Sequence, residues 1–219
     1  LSFGNGTTDS PFSLSAWIKI PSGGAGFYVC SKNRYDSPPS RDEYAFYISA
    51  GSEKLIFYLF DLDLNNRRGR TTDVISIFDE WFHVAATYNG VGGSSAQNGM
   101  KIYVNGVRSD TTDSTLNTYT AMHNTTEPFR IGAFTVGQIS PDGNADEVAI
   151  FNSELSASDI TSIYNDGVPN DLSSYSSLVS WWRMGDNDGG TGTTVTDQGG
   201  GGNDGTLISD ATFEEDVPE

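Results

Sequence analysis

Short apolar runs recur along this chain, and residues that favour turns separate nearly all of them. That rhythm constrains the fold most, because each run alternates as a half-buried strand does. Phe12-Ser13-Leu14-Ser15-Ala16-Trp17-Ile18-Lys19-Ile20 interleaves apolar with small or polar side chains. Glu43 to Ile48 and Lys54 to Phe60 flank a Ser-Ala-Gly-Ser-Glu linker and predict a hairpin. Trp81 to Tyr88 ends at Asn89-Gly90, and Met100 to Val104 runs through Asn105-Gly106 into Val107-Arg108. Asn-Gly is the strongest short hairpin signal, since both residues accept positive φ. Phe129 to Ala133, Ala145 to Phe151 and Leu178 to Met184 add further strands. Only Leu155 to Asn165 predicts a helix, with Ser156 as N-cap, Asp159 in the first turn and Gly167 as the stop. Many strands, one short helix and no βαβ rhythm predict an all-β protein, a two-sheet antiparallel sandwich.

At 219 residues the chain is long enough to bury a substantial core without staples, and residues 1–219 read as a single domain. A net charge of −17 leaves no basic patch for phosphates, so nucleic acid is not an expected partner. The same charge repels anionic membranes, and no apolar run is long enough for membrane insertion or a signal peptide. It suits a dispersed surface protein and would favour divalent cations. Cys30 is the single cysteine; it rules out an intrachain disulfide and, inside Phe27-Tyr28-Val29-Cys30, reads as a buried thiol. The chain opens at Leu1, within a strand-like segment and without Met, as an excised piece of something longer would.

Three ordered segments carry a resemblance. They are Ser13 to Lys19; Glu80 to Gly90 with Ile102-Tyr103-Val104-Asn105-Gly106; and Ala145-Asp146-Glu147-Val148-Ala149-Ile150-Phe151-Asn152 leading into Leu155-Ser156-Ala157. In this order they resemble the laminin-G-like jelly rolls of the concanavalin A-like lectin/glucanase superfamily. Farther on, Trp181-Trp182-Arg183-Met184-Gly185-Asp186, Thr196-Asp197-Gln198-Gly199 and Gly202 to Leu207 resemble the opening strands that such domains carry at their N-terminus. Either the 178–207 segment folds back and supplies closing strands, as in a circular permutation, or it begins a second unit. The first is preferred, because exposed sheet edges are a liability. The arrangement also resembles structural and fibre proteins of marine bacteriophages, which would place the chain in an extracellular, cell-surface or virion setting.

The resemblance implies a structural calcium tying an early loop to the strand with the Asp-Glu pair. Asp146 is the first ligand candidate by that match, with Asn5 and Asp9 from the early loop. Phe3-Gly4-Asn5-Gly6 departs from the family's Phe-Asp-Gly type of start. Asp142, Asn144 and Asp146 also alternate, as calcium-loop oxygens do. Asp186 to Asp197 loosely resembles an EF-hand loop but lacks its glycine and helices, and reads as a solvated loop.

Catalytic members of the superfamily carry a Glu-x-Asp-x-(x)-Glu run, whose carboxylates flank the scissile bond. This chain has none; Asp61-Leu62-Asp63 lacks a third partner. His83 lies in a core-strand pattern, and with His123 it makes neither a triad nor a zinc site. The expectation is therefore a non-catalytic binding or adhesion module. Its partner would be a glycan or a cell-surface protein, read by rings that stack on sugars and by amides and Arg that read hydroxyls. The loop candidates are Tyr35, Asn65, Asn66, Arg67 and Arg68. The alternatives are a subunit of a virion or fibre assembly without a small ligand, and, less favoured, a glycan hydrolase.

Overall fold

Side-chain alternation decides the architecture. A computed structural model of the chain describes residues 1–23, 26–34, 41–135, 137–140, 142–186 and 189–219. In chain order the strands begin with β1 (Phe12–Lys19), β2 (Phe27–Lys32), β3 (Asp42–Ile48), β4 (Lys54–Val74) and β5 (Trp81–Tyr88). β6 (Met100–Val104), β7 (Val107–Arg108), β8 (Asp110–Asp113), β9 (Arg130–Ile131), β10 (Ala133–Thr135) and β11 (Gln138–Ile139) follow. β12 (Asn144–Phe151), helix α1 (Ala157–Tyr164), β13 (Leu178–Trp182), β14 (Thr194–Val195) and β15 (Gly205–Thr206) complete the order. One large sheet runs β13-β12-β1-β5-β6-β7 and the other β8-β4-β3-β2-β9, with antiparallel neighbours.

On β1, Phe12, Leu14, Ala16 and Ile18 enter the core between the sheets, where they meet Tyr44, Phe46, Leu55, Phe57 and Leu59 of the opposite sheet. Phe12 stacks on Phe3 at 4.4 Å and meets Tyr44, Phe57 and Tyr88 at tilted or edge-on angles. Ser13, Ser15 and Trp17 point the other way, so each sheet has a second, outward face. The two outward faces differ.

β4 doubles back on itself. Thr72 Oγ1 accepts from Leu55 N, Ile75 N donates to Glu53 O, and a Cβ on Gly69 would strike the Tyr58 ring. Only glycine lets the returning half lie so close to the first. Asn105 (φ 47) and Gly106 (φ 74) make the β6–β7 turn as their identities require. Asn89-Gly90, by contrast, opens a longer link through a 3-10 segment at Gly93–Gly99, closed where Asn89 N donates to Gly99 O.

Helix α1 starts at Ser156, whose Oγ accepts from Asp159 N while Asp159 returns a carboxylate oxygen to Ser156 N. Leu155 and Ile160, on either side of that box, lie buried in one cluster, as a hydrophobic staple does. The stop comes earlier than Gly167, at Asn165 in the left-handed region (φ 48). Asn and Asp enter that region more readily than other side chains, because they bond their own backbone.

β13 pairs with β12 on the edge of the first sheet, Ala149 opposite Trp181 and Val148 opposite Trp182. Trp182 enters the main core and stacks on Phe129 at 5.3 Å, while Trp181 lies beneath α1. Asp197 holds the following loop to the strand: Oδ1 accepts from Trp181 N and Gly199 N, Oδ2 from Asn203 N. Among the described residues no helix is long and apolar enough to cross a membrane.

Candidate ligand-binding face

The outward side of the β4-β3-β2 sheet carries a row of aromatic rings. Tyr28 on β2, Tyr47 on β3 and Tyr58 and Phe60 on β4 occupy outward positions of strands whose inward positions build the core. A one-residue bulge between Tyr28 and Cys30 lets β2 send Tyr28 out and Cys30 in. Phe134 of β10 completes the row, because Ser31 Oγ donates to the carbonyls of Ala133 and Phe134 and pins β10 across β2. The rings follow one another at 5.3 Å (Phe134 to Tyr28), 5.4 Å (Tyr28 to Tyr47), 6.2 Å (Tyr47 to Tyr58) and 5.7 Å (Tyr58 to Phe60).

Tyr28 and Tyr47 stay half-exposed in the middle of this row, and Tyr58 is 9% exposed. Burial raises the Tyr28 hydroxyl above its ordinary value; Tyr47 is raised too, by burial and then by Tyr58 and Tyr28. Both stay protonated, so each offers an apolar ring with a donor at its tip. Tyr58 OH bonds Ser114 Oγ at 2.7 Å, which fixes its ring.

The Arg67 guanidinium carbon lies 4.9 Å from the Tyr58 ring centre, within cation–π range. Nη1 donates to Leu64 O at 2.7 Å, and Nε is buried without a partner. Arg68 turns to the opposite side, where Nε donates to Ser94 O and Nη1 is shared among the carbonyls of Arg67, Leu116 and Asn117. Of the loop candidates, then, Arg67 joins the aromatic row and Arg68 ties loops together. Asn65 is exposed at the tip, its N–H and amide both bonded to Asp63, and Asn66 is half-buried beside it. Tyr35 falls outside the described residues.

The early-loop calcium candidates lie far from Asp146. Asn5 Oδ1 already accepts from Thr7 N, Thr7 Oγ1 and Thr8 N. Asp9 accepts from the hydroxyls of Tyr88 and Tyr119 and from Met122 N. Tyr88 faces Phe12, whereas Asp146 faces Trp17, so the two ends lie roughly 17 Å apart along β1 at ~3.3 Å per residue. Asp142 is exposed ahead of β12, and Asn144 pairs with Lys19. Among the described residues no three His, Cys, Asp or Glu side chains form a metal-holding group. The early-loop pair Asn5 and Asp9 therefore does not share a site with Asp146.

Other polar groups serve the opposite outward face. Ser15 Oγ meets His83 Nε2 at 2.8 Å, but His83 Nδ1 has no partner and burial pushes the imidazole down to about 3. A base that weak, sealed beneath Trp17 and Tyr164, does not activate a nucleophile. A bulge at Glu147 (φ 51) sets Asp146 and Glu147 side by side. Glu147 accepts from Trp181 Nε1 and Arg183 Nε, and Asp146 is pushed up to about 7, chiefly by burial. The Cys30 thiol is buried and its pKa is raised by that burial, which keeps it from acting as a thiolate.

Two shallow dents mark the described surface. One of about 260 Å³ is lined by residues such as Ile20, Ile48 and Phe78, and one of about 170 Å³ lies beneath α1. Neither is lined by a residue of the aromatic row.

A laminin G family model, described as the Concanavalin A-like lectin/glucanases superfamily, matches residues 2–161. No curated protein matches the chain in sequence. Among solved structures, a candidate carbohydrate-binding protein from Bacteroides ovatus is 17% identical with a TM-score of 0.63, over 98% of this chain and 58% of that one. Botulinum neurotoxin type C, whose cell entry depends on interaction with two ganglioside molecules, is 21% identical over 71% of this chain and 36% of its own, with a TM-score of 0.49. Trypanosoma rangeli sialidase is 16% identical over 71% and 22%, with a TM-score of 0.42. This chain spans less than two thirds of the length of each of the three. At these identities the likeness is one of fold.

Proposed function

The chain belongs to the Concanavalin A-like lectin/glucanases superfamily, and from that premise we propose that it is a non-catalytic module that binds carbohydrate on an open sheet face. The observation that carries this reading is the row Phe134-Tyr28-Tyr47-Tyr58-Phe60 on the outward side of one sheet, with Arg67 over it. Half-exposed tyrosines suit the apolar faces of pyranose rings, and their hydroxyls suit the sugar hydroxyls. A shallow strip rather than a pocket suits a chain of sugars, which can lie along it. Residues 1–219 would act as one unit, with 178–207 closing the β12 edge. The module would work outside the cell or on a surface, where glycans are displayed.

A glycan array followed by calorimetry tests the reading. Binding to at least one glycan, weakened at least about tenfold by Tyr47→Ala with the fold retained, supports it. Failure to bind any glycan overturns it. Release of reducing sugar from a polysaccharide panel would overturn the non-catalytic part alone.

A further inference from the structure

Nine of the 12 basic side chains have a carboxylate within 4 Å, as expected in a chain with a net charge of −17. Arg68 spends its guanidinium on backbone carbonyls, and Lys54 sits at the start of β4. Arg67 stands apart from all of these. Its nearest acidic neighbour along the chain tip, Asp63, is turned to the N–H and amide of Asn65. Tyr58 fixes the plane of the Arg67 guanidinium from below, and Leu64 O takes one Nη1 hydrogen. Among the described residues Nη2 has no partner, and it is not one of the buried orphan atoms, unlike Nε. The end formed by Nη1 and Nη2 is therefore presented as a planar fork, the geometry that matches a carboxylate.

We propose that this face selects acidic glycans, with the Arg67 fork receiving the carboxylate of a sugar whose ring lies on Tyr47 and Tyr28. The inference rests on the carbohydrate-binding reading above and narrows it to carboxylate-bearing sugars. Ring stacking is indifferent to that carboxylate, so the rings supply adhesion and the fork supplies choice. The overall negative charge does not oppose this contact at close range, because charges more than ~8 Å away are largely screened at physiological ionic strength.

Two matched pairs of probes differ in the carboxylate and carry it from different sources: tetragalacturonic acid against its methyl ester, and sialyllactose against lactose. Calorimetry is expected to give at least about a tenfold preference for the acidic member of one pair, since charge-assisted bonds are roughly twice as strong as neutral ones. The pair that responds tells a uronic from a sialic source. Arg67→Gln should bring the ratio close to one, and Arg67→Lys should keep part of it. A urea melt that matches the parent's certifies that the variant is folded. A preference below about twofold, or one that survives Arg67→Gln, overturns the inference and leaves the binding reading standing. So does binding of neutral glycans on the array with neither pair bound. Absence of all glycan binding overturns both.

Discussion

The two sheets turn different outward faces away from the shared core. On the β12-β1-β5 side, α1 lies over the sheet, and Ala85, Tyr103, Ala149, Phe151 and Trp181 meet Leu155, Ile160 and Ile163 in a second small core. The polar groups there are consumed locally: Ser13 bonds Ser153 O and Leu155 N, Ser15 meets His83, and Glu147 meets Arg183 and Trp181. On the β4-β3-β2 side no helix among the described residues lies across the rings, Tyr28 and Tyr47 remain half-exposed, and Arg67 lies over the Tyr58 ring. Equal strand chemistry thus yields a structural face and an available one. The difference lies in what crosses each sheet.

That contrast breaks most severely if the strand shared by core and helix is lost. Ending the chain after Ser177 removes Trp181 and Trp182 and bares the β12 edge, so cooperative unfolding in urea, followed by Trp17 and Trp81 fluorescence, should disappear. A retained sharp transition would mean that the helix face does not need β13.

Next in size is a crossed pair of substitutions. Ile160→Asp places a charge at a fully buried position and should cost about 3–5 kcal/mol of stability, while the folded fraction keeps its glycan affinity. Tyr47→Ala should cost only about 1–2 kcal/mol, yet lower that affinity at least about tenfold. If both variants lose affinity together, the faces are coupled and the distinction fails.

Titration sharpens the comparison further. Asp146 has a folded value of about 7 against an ordinary 3.8, so its contribution is fully present below the unfolded value and is lost as pH rises through 7. Asp146→Asn escapes that loss, and should match the parent near pH 4 but exceed it by roughly 1–3 kcal/mol at pH 8. His83 has the opposite sign: its value falls to about 3, so stability is lost as pH drops below about 6.5. The measurement is therefore a difference between variant and parent at each pH, by urea melts. Smallest of all, Ser156→Ala removes the α1 cap and should cost about 1 kcal/mol, with no change in glycan binding.

Most of the fold was legible because alternation reports directly which way a side chain points. Phe12, Leu14, Ala16 and Ile18 were readable as a core face, and Ser156 with Asp159 as a helix start. The aromatic face was harder to see for a related reason. In Tyr44-Ala45-Phe46-Tyr47 and in Ile56-Phe57-Tyr58-Leu59-Phe60 both faces are apolar, so period two carries no polar mark. Tyrosine at outward positions was the one available signal, since it keeps a wet hydroxyl. Arg67 and Arg68 were chosen as one unit, although neighbours on a strand point to opposite sides. The resemblance joined Asn5 and Asp9 to Asp146, and only the β1 register shows that Asp9 and Asp146 sit near opposite ends of one strand.

Trp181 and Trp182 are consecutive, yet one enters the cluster under α1 and the other the main core. During synthesis β1 leaves the ribosome well before its partner β12, which arrives about 130 residues later, with β13 later still. Until then the chain carries an unpaired apolar strand edge, which other chains can extend. Slow decoding just ahead of β13 would therefore lower the soluble yield without changing the finished protein.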